Sequence, residues 1–105
     1  MEKIEKGSGN VYADLGFPDA EEMFVKANLA AKIAEIIESR GWTQTQAAKV
    51  VGMAQPRLSK MLNGHFRGIS QAKMLDCLIR LGRNVHIVIG PESPAPVGCV
   101  DVMFA

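Results

Sequence analysis

Long apolar runs are missing from this 105-residue chain. None approaches the ~20 residues a helix needs to cross a bilayer, so no membrane partner is expected. An apolar leader is missing too. The N-terminal "MEKIEKGSGN" mixes both charge signs and has no apolar core of the kind a secretory signal requires, which leaves the cytoplasm as the expected compartment. Cysteine is scarce. Cys77 and Cys99 form no CxxC pair, and Cys77 falls in a helical apolar pattern where it reads as a small buried hydrophobe rather than half of a disulfide. His65 and His86 have no cysteine or carboxylate at ligand spacing, so no metal is expected. A phosphate-cradling glycine motif, a nucleophile elbow and a paired-carboxylate arrangement are all lacking, so neither an enzyme nor a cofactor is expected.

Net charge is also small, at +1, but it is unevenly spread. Residues 1–40 carry five basic and eight acidic side chains, net −3, whereas residues 43–83 carry seven basic ones against Asp76 alone, net +6. Two readings fit the basic stretch: a solvated surface, or a face turned toward phosphates. What remains is ordinary for a soluble globular chain, 48% hydrophobic and 22% charged, of a length that suits one domain with a single modest core.

The first firm element lies in "FPDAEEMFVKANLAAKIAEIIESRGW". Asp19 and Glu22 have the spacing of a capping box at a helix start. Met23, Ala27, Ala30, Ile33, Ala34 and Ile37 recur at helical spacing, with Lys26, Lys32, Glu35 and Glu38 mostly off that stripe. Gly41 ends the helix, and a break near Asn28 stays open. Thr43 and Gln46 form a second capping box; the short helix they start carries Ala47, Ala48, Val50 and Val51 and closes at Gly52. Met53 and Ala54 connect to a third helix, about Gln55 to Leu62, with Leu58, Met61 and Leu62 inward and Pro56 in the first turn, where its missing amide hydrogen does no harm. Asn63 and Gly64 stop it. Two such helices joined by a glycine turn match the helix-turn-helix pattern. Ser70 caps a fourth helix that buries Leu75, Leu78 and Ile79 and ends at Gly82.

The stretch from Trp42 to Gly64 resembles the xenobiotic-response-element (XRE) class of helix-turn-helix regulators, which includes phage repressors and many bacterial antitoxins. Agreement lies in Thr43, Gln44, Ala48, Gly52, Gln55, Ser59 and Gly64, with apolar Met53, Leu58 and Met61 at the class's apolar positions. The flanking "DLGFPDAEEM" and "LGRNVHIVI" are similar to an antitoxin-like subgroup, extending the likeness over most of residues 11–90. Three departures stand out. Ala47 replaces a usual Leu, Leu62 a common polar residue, and Ala54 the Ser or Thr that caps the third helix. Either that helix starts less firmly, or another group such as a DNA phosphate satisfies its first amides.

In this architecture the third helix enters the major groove while the preceding one abuts the backbone. Gln55 is the expected base reader, because its amide can donate and accept together as adenine N6 and N7 require. Arg57 and Lys60 reach guanine acceptors or phosphates, and Pro56 offers apolar contact to a thymine methyl. Gln44 resembles the class's phosphate-binding glutamine. Ser59, Asn63, His65 and Arg67 complete the expected backbone contacts, with simple solvation as the alternative for each.

"NVHIVIGP" reads as a strand: Val85, Ile87 and Ile89 alternate with His86 and Val88 before Pro91. A lone strand needs a partner. The expectation is the same strand of a second copy about a two-fold axis, which the resemblance also implies; pairing with Val11–Leu15 is the alternative. The whole is then a mainly α, lambda-repressor-like bundle of four to five helices with a short C-terminal β-strand paired across a dimer. Its expected divisions are an N-terminal segment, 1–18, the helix-turn-helix domain with its dimer strand, 19–90, and a Pro-rich tail, 91–105, which either hangs free or packs through Val97, Val100, Val102, Met103 and Phe104. Its expected partner is a palindromic double-stranded operator, and the resemblance adds a cognate toxin. A protein-interaction module that does not read DNA is the alternative.

Overall fold

A computed structural model describes residues 19–105, in which four helices form. We number them α1 (Ala20–Ser39), α2 (Gln44–Val51), α3 (Gln55–Leu62) and α4 (Gln71–Arg80). The expected pairing segment Val11–Leu15 lies outside the described residues.

The 20-residue α1 is the spine. It runs unbroken past Asn28, whose Nδ2 donates to the Phe24 carbonyl one turn back. Its apolar face is wider than one stripe, because it packs against both α3 and α4. Met23, Val25, Leu29, Ala30, Ile33, Ile36 and Ile37 are all buried. The capping box expected at its start does not form. Asp19 makes no side-chain cap, and Glu22 pairs with Lys26 instead. The Asp19 carboxylate is drawn to the guanidinium of Arg67, a stronger donor than a backbone amide.

The remaining helix ends follow local chemistry. Thr43 Oγ1 accepts from the Gln46 amide at 3.1 Å while Gln46 Oε1 accepts from the Thr43 amide at 2.9 Å, so the capping box of α2 is complete. Gly52 adopts φ 69°, and its amide and that of Met53 both return to the Ala48 carbonyl. An L side chain is strained at that angle, which makes glycine the residue that lets the chain turn sharply into α3. Ser70 Oγ accepts from the Lys73 amide and caps α4.

One core results. Ala47, Val51, Leu58, Met61, Met74 and Cys77 are fully buried around Ile33, and Phe66 and Ile69 anchor the loop after α3. Each large side chain among them contributes on the order of 1.5–3 kcal/mol through burial. Burial also pushes the Cys77 thiol up from its ordinary pKa, so it stays protonated within the core.

Three expectations need correction. The inward face of α4 is Met74, Cys77 and Leu78, continued by Leu81; Leu75 is half-buried and Ile79 is 56% exposed, one position out of phase. No strand forms among the described residues. Val85 leans on the core, but Ile87 and Ile89 stand 78% and 89% exposed, with no partner among the described residues to supply ladder hydrogen bonds. Lys26, expected off the apolar stripe, is buried at 3% exposure. The tail touches the body at a few points: the Val100 amide donates to Glu21, Val102 rests on the core, and Lys32 stands over the Phe104 ring at 5.2 Å. Val97, Val100, Met103 and Phe104 remain exposed.

Candidate nucleic-acid interface

The geometry of α3 follows from which of its residues the core takes. Leu58 and Met61 are wholly buried, and their spacing fixes the helix's rotation. The opposite stripe is left outside: Gln55, Pro56, Arg57, Lys60 and Asn63 are exposed and Ser59 is half-buried. Ala54, in extended conformation ahead of the helix, supplies no cap hydrogen bond, so the first amides of α3 have no side-chain partner among the described residues.

Gln55 is not loose. Its Nε2 donates to Oε1 of Gln44 at 3.0 Å, a bond between the first residues of α2 and α3. After this bond Gln55 still has one N–H and its carbonyl oxygen to offer, and Gln44 keeps its NH₂. The pair thus joins the donor–acceptor edge of Gln55 to the NH₂ donor of Gln44, in fixed register. Sequence spacing singled out both residues but not their bond.

Cations surround this edge. Arg57 and Lys60 have no acidic partner among the described residues. Together with His65 and Arg67 they line a shallow depression beside α3, floored by Met23, Phe66 and Ile69. Arg67 differs from the others because Asp19 already pairs with it. The loop carrying His65 and Arg67 is clamped: the His65 amide donates to the Lys60 carbonyl at 2.8 Å, and buried Lys26 donates through Nζ to the Arg67 carbonyl at 3.0 Å while pairing with Glu22 at 3.1 Å.

A second clamp acts on the turn. Lys73 Nζ lies 3.4 Å from the Val51 carbonyl and 3.3 Å from that of Gly52, satisfying the C-terminal end of α2, where a cation is favoured. Asp76 accepts from Arg80 Nε at 2.9 Å and from Lys73 at 3.5 Å. Hydrogen bonding to Arg80 is the chief reason that the Asp76 carboxyl lies below its ordinary pKa; desolvation, the next effect in size, opposes it, and the charge of Arg80 and the contacts of Lys73 add to the lowering. The Arg80 guanidinium sits where a side chain on Gly52 would have to go, 2.9 Å from that point. Neither Lys26 nor Lys73 was picked out from the sequence. A signal existed for Lys26, which lies three residues after Met23 and four before Ala30 on the apolar stripe, with Glu22 a turn behind it.

No group of His, Cys, Asp and Glu that could hold a metal occurs among the described residues, and no helix there is long and apolar enough to cross a membrane. A short helix held by two buried anchors, offered by a glycine turn and edged with amides and cations, defines a helix-turn-helix module for DNA. The family model HTH_37, a helix-turn-helix domain, matches residues 11–90. A solved structure named "Putative XRE Family Transcriptional Regulator" superposes with a TM-score of 0.76 at 30% identity, covering 84% of this chain and 100% of that one. The chain belongs to this family of XRE-class helix-turn-helix proteins, DNA-binding transcriptional regulators. Comparison with curated proteins finds no match.

Proposed function

We propose that the protein is a repressor that occupies a two-fold symmetric operator, with α3 of each copy in the major groove. The observation that carries this reading is the exposed stripe of α3, whose amide and cationic tips stand opposite the buried Leu58 and Met61. Gln55 reads adenine with the donor and acceptor left after its bond to Gln44; Arg57 and Lys60 take guanine acceptors or nearby phosphates; Pro56 lies against a thymine methyl. Gln44, Ser59, Asn63, His65 and Arg67 hold the sugar–phosphate backbone, which supplies affinity without sequence information. The place of action is the cytoplasm, with the DNA.

The dimer is part of the same proposal. Ile87, Val88 and Ile89 are exposed in sequence between half-buried Val85 and Pro91, a segment of β-favouring side chains whose backbone groups find no partner among the described residues. Pairing of Val85, Ile87 and Ile89 with the same strand of a second copy satisfies those groups and sets two α3 helices about one DNA turn apart. Selection of duplexes from a random pool tests this directly. A recovered motif with two-fold symmetry and half-sites ~10 base pairs apart, bound with an affinity that falls steeply with salt, supports it; asymmetric or random recovery with a flat salt dependence refutes it.

An antitoxin role is the finer reading, in which the protein represses its own promoter and also covers a basic, RNA-cleaving toxin through its acidic N-terminal part, where residues 1–40 carry net −3. The rival reading is a module that neutralises such a partner without reading DNA. A Gln55→Ala, Arg57→Ala double variant separates them: loss of repression with neutralisation retained fits a repressor–antitoxin, whereas an unchanged phenotype fits the rival.

A further inference from the structure

Asp19 stands immediately before α1 with the sequence of a helix cap, yet its carboxylate makes no cap bond and pairs instead with Arg67, 48 residues away. The acidic side chain is only 30% exposed. Its partner belongs to the cationic group beside α3, sharing one depression with Arg57, Lys60 and His65. A carboxylate is therefore held within the surface that faces the DNA backbone in the reading above. The main chain of Arg67 is fixed independently, by the 3.0 Å bond from Lys26, so the guanidinium has a fixed base from which to reach either Asp19 or a phosphate.

We propose that Asp19 is a positioning residue for DNA binding: it holds the Arg67 guanidinium in the free protein, and a phosphate must displace it. The inference rests on the assignment of the α3 face to DNA. Its physics is counterion exchange. A phosphate contact gains most of its free energy by releasing condensed cations, with a slope of about −0.9 in log K against log salt for each phosphate neutralised. Arg67 brings its own anion, and that anion stays on the protein. Once Arg67 moves to a phosphate, the half-buried Asp19 carboxylate lies unpaired near the backbone and recruits a cation in place of the one released. The net return from Arg67 is thus suppressed, equally for every DNA sequence. Asp19 lowers the sequence-independent part of the affinity and leaves base discrimination alone.

The test is the salt dependence of duplex binding by the full chain, measured on the selected operator and on a scrambled duplex. Asp19→Asn is expected to steepen the slope, by at most about 0.9, so that up to three- to fourfold more affinity is lost between 50 and 200 mM salt. It is also expected to bind both duplexes several-fold more tightly at 50 mM, with their ratio unchanged. Asp19→Ser, which removes the charge but leaves a good helix cap, should behave the same way, and Asp19→Glu should restore wild-type behaviour. In an Arg67→Ala background the steepening should vanish. A wild-type slope in both Asp19→Asn and Asp19→Ser, or a steepening that persists without Arg67, overturns the proposal and leaves the DNA assignment standing. A wild-type protein that binds neither duplex overturns both.

Discussion

Replacing Gln44 with alanine removes two things that differ in their dependence on DNA sequence. One is the amide that the proposed function assigns to a phosphate. A hydrogen bond to a charged group contributes about 1.5–3 kcal/mol, the same for every duplex. The other is the 3.0 Å anchor on Gln55. Without it the exposed Gln55 side chain samples its rotamers in the free protein, and ordering one such side chain at an interface costs roughly 0.5–1.5 kcal/mol. That cost arises only where Gln55 is held against its base. The ratio of operator to scrambled affinity should therefore fall about 2- to 12-fold, on top of a larger loss common to both duplexes. Fluorescence titration against both at one salt concentration measures the two parts separately. In a Gln55→Ala background, Gln44→Ala should lower both affinities by one factor and leave the ratio alone, because the anchored group is gone. An unchanged ratio in the single Gln44→Ala variant would refute the reasoning, since it would mean that the bond does not orient the reader.

Other outcomes follow from the same geometry. Leu58→Ala empties a site at 0% exposure and should cost about 2–5 kcal/mol in chemical denaturation, whereas Lys60→Ala on the opposite side should stay within about 0.5 kcal/mol while weakening DNA binding. Thr43→Ala breaks the capping box of α2 and should destabilise by about 0.5–2 kcal/mol, read as a lower melting temperature. Asp76 has a folded pKa below its unfolded one, so its contribution is fully present above about pH 4 and is lost as pH falls through the folded value. Asp76→Asn should therefore be less stable than wild type at neutral pH and converge with it in an acid titration. Cys99, exposed, should react with a maleimide in the native protein, while Cys77 should react only on unfolding.

The parts of this molecule that could be read from its sequence are those whose causes are local. Thr43 with Gln46, Gly52, Ser70 and the spacing of Leu58 and Met61 each act within a few residues, and the helices begin, turn and face as those residues dictate. The exposed stripe of α3 follows from the same spacing. Where partners lie far apart the reading failed. Asp19 has the spacing of a cap because the amides of the helix start are adjacent, while its partner Arg67 is 48 positions on; Lys26 reads as lying off the apolar stripe, while its acceptor is 41 positions on. Ile79 reads as inward from the sequence, yet Met74, Cys77, Leu78 and Leu81 already complete an i, i+3, i+4, i+7 face. The segment around Ile87 has the side chains of a strand, but a strand is a property of two backbones, and no second backbone pairs with this segment among the described residues.

Base-by-base substitution of the selected operator, titrated with wild type and with Gln55→Ala, probes the role of α3 most directly. Wild type should lose affinity at each contacted pair, and Gln55→Ala should become indifferent at one symmetric position, losing about 1–3 kcal/mol of discrimination there, while its preferences elsewhere persist. An evenly lowered profile, or one identical to wild type, would contradict the assignment of α3 as the element that reads DNA.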